Sequence, residues 1–246
     1  PQPLPIKHRK DFDLVGLPDS LYDAIRVFIL NVAIRNLRGH NETKHNTMLI
    51  HVTLYTLMHE SVHSFVEEYL TEIKDDISNF GNSKNYKQQG DHFNELKNSF
   101  NNHVKNIDLE FTWGEVLRSL NECVDKIITR QVHSNKQVAQ LEYLNSNPIN
   151  VIVVGGLSLS RGFTLEGLSV SYFLRGTKFY DTLMQMGRWF GYRDGYEDLC
   201  RIYMTSTMQD YYKHIQEVTI DLFDSFKLMF DQKKTPYDFG LAVKEH

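Results

Sequence analysis

The sequence predicts an α/β fold, with a parallel sheet covered by helices, and two observations support this prediction. First, short apolar runs alternate with helical patterns after Asn147, beginning with INVIVVGG and LSVSYFLR. Because strands separated by helices or long crossings pair in parallel, this rhythm indicates a parallel sheet. Second, 246 residues with 41% hydrophobic content suffice for one large α/β domain or one domain with a sizeable insertion.

The first half of the chain predicts a long helix, a buried strand and a helical insertion. After an extended lead-in at residues 1–17, the stretch LPDSLYDAIRVFILNVAIRNLRGH has apolar residues at helical spacing and contains Gly39, a common helix terminator. Met48 to Val52 is a short apolar run that is typical of a buried strand. From about 57 to 125 helical patterns dominate, interrupted by the polar stretch GNSKNYKQQGD, so we expect a mostly helical insertion there.

The second half of the chain predicts the remaining strands. Strand character is found in KIITRQVHSN, INVIVVGG, LSVSYFLR and DLCRIYMT, which contain many β-branched and aromatic residues. The segment KFYDTLMQMGRWFG and the amphipathic stretch at about 207–231 have the apolar spacing of helices. Together with the first strand, these segments predict a sheet that helices cover.

Composition narrows the classes of function. The net charge of −4 argues against a uniformly basic surface, so contact with nucleic acid needs a local patch. The two cysteines, Cys123 and Cys200, form no CxxC pair, which fits a reducing, cytoplasmic compartment. The sequence has no run of about 20 apolar residues to cross a membrane and no apolar signal core at its start. It begins with a proline-rich run instead of Met and stops within a strand-like segment, so we expect a piece of a longer protein.

The stretch HESVH, from His59 to His63, suggests zinc chemistry. Histidines at i and i+4 lie on one helical face, where they can bind zinc while the glutamate activates a water. A zinc peptidase also needs a third ligand on a following element, and Glu67, Glu68 and His92 form no recognised motif of that kind. The alternative is an ordinary packing helix that follows the predicted strand MLIHV.

Two segments of the second half combine glycines with arginines. Gly155 and Gly156 end a predicted strand, and ligands bind beyond the carboxyl ends of strands in open parallel sheets. Small residues there allow the backbone to approach a phosphate, and the turn SRGFT adds Arg161 and Gly162 at the same edge. The helix that leads to Arg188 returns near this edge, and the arginine fork is suited to phosphate oxygens. Taken singly, the glycines also fit a tight turn and Arg188 also fits a packed helix.

The order strand, SRGFTLEGL, strand, helix, QMGRWFGYR resembles motifs V and VI of superfamily 2 helicases. The segments MLIHV, GGLSLSRGFTLEGLSVSYFLR and YDTLMQMGRWFGYRDGYEDLCRIY further resemble the Z1 domain. This family carries an endonuclease label and occurs in large bacterial proteins with a helicase-like ATPase, often in restriction-like or phage-defence gene neighbourhoods. The resemblance covers Pro18 to Val243 and is densest from Asn150 to Met204. It implies a RecA-like lobe of the P-loop NTPase and helicase type over 18–246, with the helical stretch as an insertion.

The resemblance also implies roles for individual residues. Arg188 and Arg193 match the two arginines of motif VI, which makes them candidate arginine fingers, although five positions separate them here and three in the helicase motif. Arg161 and Gly162 match the Arg-Gly of motif V, and Thr164 stands where many helicases have Asp. The candidate nucleotide-binding or coupling residues are Gly155, Gly156, Gly162, Thr164 and Gln185, and the candidate nucleic-acid contacts are Ser160, Arg161 and Arg175.

Several parts of a complete ATPase are missing from the sequence. It contains no GxxxxGK[ST] motif and no Asp-Glu pair that follows a strand. The resemblance therefore implies that an N-terminal ATPase lobe of the same protein holds ATP and Mg²⁺, that DNA is a partner, and that this chain is inactive alone. Defence-system proteins are further expected partners, and a docking module for nucleic acid or protein is the alternative function.

The endonuclease label finds no support in the sequence itself. Metal-dependent nucleases need clustered carboxylates, and the nearest candidates, Asp194, Glu197 and Asp198, lie in one polar loop beside arginines. A salt-bridged loop is the simpler interpretation, and we assign no metal ligands.

Overall fold

The structure is a computed structural model, and it describes most of the chain. The described residues are 14–39, 43–51, 56–80, 90–132, 143–144, 146–156, 165–173, 180–187 and 193–235. Among these residues the structure has five strands: β1 (Asn46–His51), β2 (Ile127–Val132), β3 (Asn150–Gly155), β4 (Leu168–Phe173) and β5 (Arg201–Met204). The same described ranges contain six α-helices: α1 (Asp19–Arg38), α2 (Thr56–Phe80), α3 (Asp91–His103), α4 (Trp113–Cys123), α5 (Tyr180–Gly187) and α6 (Ser206–Asp231).

All five strands form one parallel sheet in the order β2-β3-β1-β4-β5. The three central strands are buried almost throughout, and β1 and β3 accordingly contain unbroken apolar runs. In β4, by contrast, the apolar residues alternate with Ser169 and Ser171, which are also buried. This architecture confirms the predicted α/β fold with a parallel sheet flanked by helices. Within the described ranges, no helix is both long and apolar enough to span a bilayer.

Two hydrophobic cores cover the two faces of the sheet. Alternate side chains of each strand point to opposite faces, so Met48 and Ile50 face one core and Leu49 faces the other. The larger core contains α1, α2, α3 and α4, the last three of which lie in the stretch predicted to be helical. The smaller core contains residues of α5 and α6 together with Leu165, from the connection between β3 and β4.

The amino edge of the sheet is held by a buried arginine. Arg35, near the end of α1, is only 3% exposed, and its guanidinium lies 3.9 Å from the centre of the Tyr196 ring. It donates hydrogen bonds to the carbonyl oxygens of Thr43 (2.7 Å), His45 (2.8 Å) and Gly167 (3.3 Å) and to Oδ1 of Asn46 (2.6 Å). These bonds connect α1 to the segments that lead into β1 and β4.

Gly167 is required at this edge for two reasons. Its φ of 66° lies in the left-handed region that favours glycine. A Cβ at this position would also collide with the carbonyl oxygen of His45. The start of β4 therefore approaches the start of β1 too closely for any side chain.

The bounds of two strands differ from the sequence predictions. The first strand begins at Asn46 and not at Met48, because the polar Asn46 donates to Oδ1 of Asn150 at 2.7 Å and so pairs within the sheet. The last strand begins at Arg201, although the pattern DLCRIYMT predicted a start at Asp198. In the 3-10 turn Glu197–Leu199, the backbone N–H of Cys200 donates a hydrogen bond to the carbonyl oxygen of Glu197. The pairing of β5 with β4 therefore begins only after this turn, at Arg201.

A buried histidine predicts a loss of stability in acid. His103 is 6% exposed, and its Nε2 lies 2.8 Å from Oδ1 of Asn31. Burial, reinforced by the charge of Arg201, lowers the pKa of His103 from 6.5 to about 4. Between pH 4 and pH 6.5, His103 therefore binds a proton in the unfolded chain but not in the folded chain. We therefore expect the free energy of unfolding to fall by about 3 kcal/mol as the pH decreases from about 6.5 to 4.

Urea unfolding at several pH values checks this expectation. His103→Gln should flatten the dependence of the free energy of unfolding on pH in that window. The matched control is His63→Gln, on the more exposed border of α2, which should leave the wild-type slope in place. If the dependence of the free energy of unfolding on pH were unchanged in His103→Gln, His103 would not be the cause of the loss of stability in acid.

Candidate functional site at the carboxyl edge of the sheet

The carboxyl ends of all five strands lie at one level. Gly155, at the end of β3, pairs with Val132 on one side and His51 on the other. His51 in turn pairs with Phe173, which pairs with Met204 at the end of β5. At a strand spacing of about 4.8 Å, the ends of β3 and β4 are about 9.5 Å apart, with β1 between them.

Both predicted motif segments leave the sheet from this row of strand ends. The segment with the first motif continues from Gly155 and Gly156, which are buried. The segment that leads to α5 continues from Phe173, two strands away. The topology therefore brings the starting points of both segments to one edge, where ligands bind in open parallel sheets.

Several of the predicted site residues lie outside the described residues. These are Ser160, Arg161, Gly162, Thr164, Arg175 and Arg188. Of the others, Gly155 and Gly156 lie at the carboxyl edge, and Gln185 is half-buried on α5. The roles of all these residues therefore stay predictions.

α5, which leads directly to Arg188 in the sequence, is fixed against α6. Leu183 and Met186 of α5 are buried in the smaller core together with Met208 of α6. The hydroxyl of Tyr212, also on α6, donates a 2.8 Å hydrogen bond to the carbonyl oxygen of Leu183. Burial raises the pKa of Tyr212 to about 12, so the phenol stays protonated and keeps this bond at neutral pH. Gly187 lies against the same ring, because a Cβ there would be 3.6 Å from Cε1 of Tyr212.

We expect Tyr212→Phe to lower the free energy of unfolding by about 1 kcal/mol, the net value of one partly buried hydrogen bond. Tyr211→Phe is the matched control, because Tyr211 is also half-buried on α6 but its hydroxyl forms no hydrogen bond with the described residues. Chemical denaturation measures both variants. Equal losses in the two variants would show that the bond to Leu183 contributes nothing.

Arg193 lies at the opposite edge of the sheet. Its Nε donates to the carbonyl oxygen of Leu168, the first residue of β4, at 3.4 Å. Leu168 and Phe173 are the two ends of β4, which places this contact about 16 Å from the row of strand ends. The structure therefore does not bring the half-buried Arg193 together with Gly155 and Gly156, and its role as a finger stays a prediction.

The acidic loop after Arg193 was predicted to be held by salt bridges, and it contains an ion pair to Arg38. Arg38 binds Asp198 with two hydrogen bonds, of 2.8 and 2.7 Å. The same contact lowers the pKa of Asp198. At this position, the salt-bridged interpretation of the loop is confirmed.

The HESVH stretch lies on α2, directly after β1 in the order of elements. Val62, Val66 and Leu70 of this helix are buried in the larger core, which confirms the prediction of a packing helix. His59 is buried, and Nδ1 of His63 lies 3.9 Å from Glu67. Across the described ranges, no three His, Cys, Asp or Glu side chains cluster as metal ligands.

One polar cluster of the larger core was missed by the sequence predictions. Arg26 of α1 donates to Oγ of Ser99 (2.8 Å), to the hydroxyl of Tyr69 (2.6 Å) and to Oε2 of Glu95 (2.9 Å). The cluster borders an open cavity of about 480 Å³ between α1, α2 and α3. These residues come from three helices that are distant in sequence, and no motif connects them.

The sheet and its flanking helices define a protein of the RecA-like α/β class. The chain belongs to the Z1 domain family, whose model matches residues 20–246. A search of curated proteins and a search of solved structures each found no significant match.

Proposed function

We propose that this chain is the C-terminal lobe of a helicase-like ATPase that acts on DNA, and that Arg188 is its arginine finger. The observation that supports the proposal best is the level row of strand ends. From it, the segment with the motif V-like residues and the segment that leads to the motif VI-like residues both leave the sheet. A shared edge is what coupling between nucleic acid and nucleotide requires, because both motifs must respond to one ligand.

The residues of this edge fit a phosphate ligand in part. Gly155 and Gly156 have no side chains, so their backbone can be approached closely by phosphate oxygens. Mg²⁺ needs carboxylates, and in the described ranges no such cluster is present. In the proposal, ATP and Mg²⁺ are therefore held by an N-terminal lobe of the same protein, and this chain contributes arginine. The bound nucleotide supplies the phosphoryl group that is transferred to water.

DNA contact is assigned to Ser160, Arg161 and Arg175 in this proposal. If Arg161 neutralises a phosphate, Arg161→Ala should reduce the slope of log affinity against log salt by about 1. Arg118→Ala, at an exposed position of α4, is the matched control and should leave the slope unchanged. Fluorescence anisotropy with a labelled duplex and with a labelled single strand measures both.

The same assay separates the proposal from a docking role. Absence of DNA binding by the chain at low salt would favour a docking module for proteins. ATPase assays provide the second part of the test, in which the intact protein should hydrolyse ATP faster with DNA and the chain alone should be inactive. An intact protein without DNA-stimulated turnover would contradict the proposal.

A further inference from the structure

A buried histidine lies in the middle of the row of strand ends. His51 is the last residue of β1, the central strand, and it pairs with Gly155 of β3 and Phe173 of β4. Only 2% of His51 is exposed, and it follows the apolar run Met48 to Ile50. A polar side chain at a core position of an apolar strand breaks the local pattern, and such breaks concentrate at functional sites.

The side chain of His51 lies on the face of the sheet that α5 covers. Leu49, two residues earlier, belongs to the smaller core, and alternation along the strand places His51 on the same face. The ring centroids of His51 and Phe173 are 5.8 Å apart. Phe173 belongs to the same core as Leu183 and Met186 of α5. One core therefore joins the ring that His51 contacts to the helix that continues into the second motif segment.

A register shift in the sheet brings the Phe173 ring to His51. The pairing of β1 with β4 shifts by one residue between Thr47 and Met48. Without this shift, His51 would pair with Tyr172 instead of Phe173. Irregularities of this kind re-aim side chains and are common next to active sites. The sheet is therefore built so that an aromatic ring from the end of β4 meets the imidazole at the end of β1.

We propose that His51 is a positioning residue of the candidate site, whose buried imidazole holds the end of β4 against the end of β1 and so fixes α5 at this edge. The imidazole carries both a donor and an acceptor nitrogen, which an aliphatic side chain at this position lacks. The consequence for catalysis rests on the proposed function, because α5 leads directly to Arg188 in the sequence. An arginine finger needs accurate placement, since a displacement of about 1 Å can lower a rate by about 10²-fold.

DNA-stimulated ATP turnover by the intact protein tests the catalytic consequence. We expect His51→Leu to lower kcat by about 10²-fold and to change KM for ATP by less than about 3-fold. His51→Asn or His51→Gln should recover most of this loss, because their amide groups stand near the positions of Nδ1 and Nε2, respectively. Turnover in His51→Leu equal to that of wild type, or no recovery in either amide variant, would overturn the proposal.

His45→Leu is the matched control for these variants. His45 is also a buried histidine, but it precedes β1 at the amino edge, where its Nδ1 accepts a 3.2 Å hydrogen bond from the backbone N–H of Ile149. We expect this variant to lower the urea midpoint while kcat per folded molecule stays unchanged. A loss of turnover in His45→Leu as large as that in His51→Leu would show that any buried histidine of this strand has the same effect, which would overturn the proposal.

Hydrogen exchange tests the positioning itself, without nucleotide or DNA. In His51→Leu, the backbone amides of α5 should exchange at least about tenfold faster relative to those of α1 than they do in wild type. In His45→Leu this ratio should stay unchanged, even if the whole domain is less stable. An unchanged ratio in His51→Leu would overturn the proposal. If the wild-type protein shows no DNA-stimulated turnover, the proposed function fails, and hydrogen exchange alone decides the role of His51.

Discussion

Arg35→Met is expected to lower the free energy of unfolding by about 4 kcal/mol or more, because it leaves three acceptors at the amino edge without the guanidinium that donates to them. These acceptors are the buried carbonyl oxygen of His45, the buried Oδ1 of Asn46 and the partly buried carbonyl oxygen of Thr43. The carbonyl oxygen of Gly167 keeps a second donor, the backbone N–H of Thr47. Each unsatisfied buried acceptor costs about 1–3 kcal/mol. Since domains are typically stable by only about 5–15 kcal/mol, the loss removes a large share of the total.

Two further variants separate the contributions of Arg35. Arg35→Lys keeps a positive charge but loses the planar fork, so it should recover only part of the loss. Arg38→Met, one turn later on α1, removes an ion pair that is partly exposed, and it should cost about 1 kcal/mol. Urea denaturation followed by circular dichroism measures all three. A loss in Arg35→Met no larger than that in Arg38→Met would contradict this account of the amino edge.

Arg188→Ala in the intact protein is expected to reduce the DNA-stimulated kcat for ATP by about 10³-fold or more. The reason is that an arginine finger stabilises charge that develops only in the transition state, so KM for ATP should change much less. Arg188→Lys should restore little, because an ammonium group cannot bind two phosphate oxygens as a planar fork does.

Arg193→Ala provides the comparison within the same motif. The side chain of Arg193 contacts the start of β4 at the amino edge, far from the row of strand ends. We therefore expect this variant to lose stability while retaining more turnover than Arg188→Ala. The reverse order of turnover would assign the finger to Arg193.

Much of the fold could be predicted because local patterns reflect burial directly. The runs MLIHV and INVIVVGG are apolar without alternation, and the structure buries both in the centre of a parallel sheet. HESVH lies on a packing helix because Val62, Val66 and Leu70 supply an apolar face, and that face extends well beyond the five-residue motif. The first residues of β1 were missed because Asn46 is polar, and its side-chain partners Arg35 and Asn150 lie 11 and 104 positions away in the sequence.

For the candidate site, the sequence predicted only the order in which its segments follow one another along the chain. Glycines after a strand pointed to the carboxyl edge, and the register of the strands places Gly155 at the level of Phe173. The position of Arg193 could not be read from its motif, because it depends on a contact with Leu168 that joins two distant segments. The clusters around Arg26 and Arg35 likewise depend on partners from several elements, and no sequence spacing encodes them.

The most direct test of the proposed function is DNA-stimulated ATP turnover by the intact protein, measured at saturating ATP for wild type and Arg188→Ala. The proposal predicts robust stimulation in wild type and a loss of about 10³-fold in the variant, with DNA affinity and thermal stability retained. Turnover in Arg188→Ala equal to that of wild type would contradict the assignment of this chain as the lobe that completes the nucleotide site.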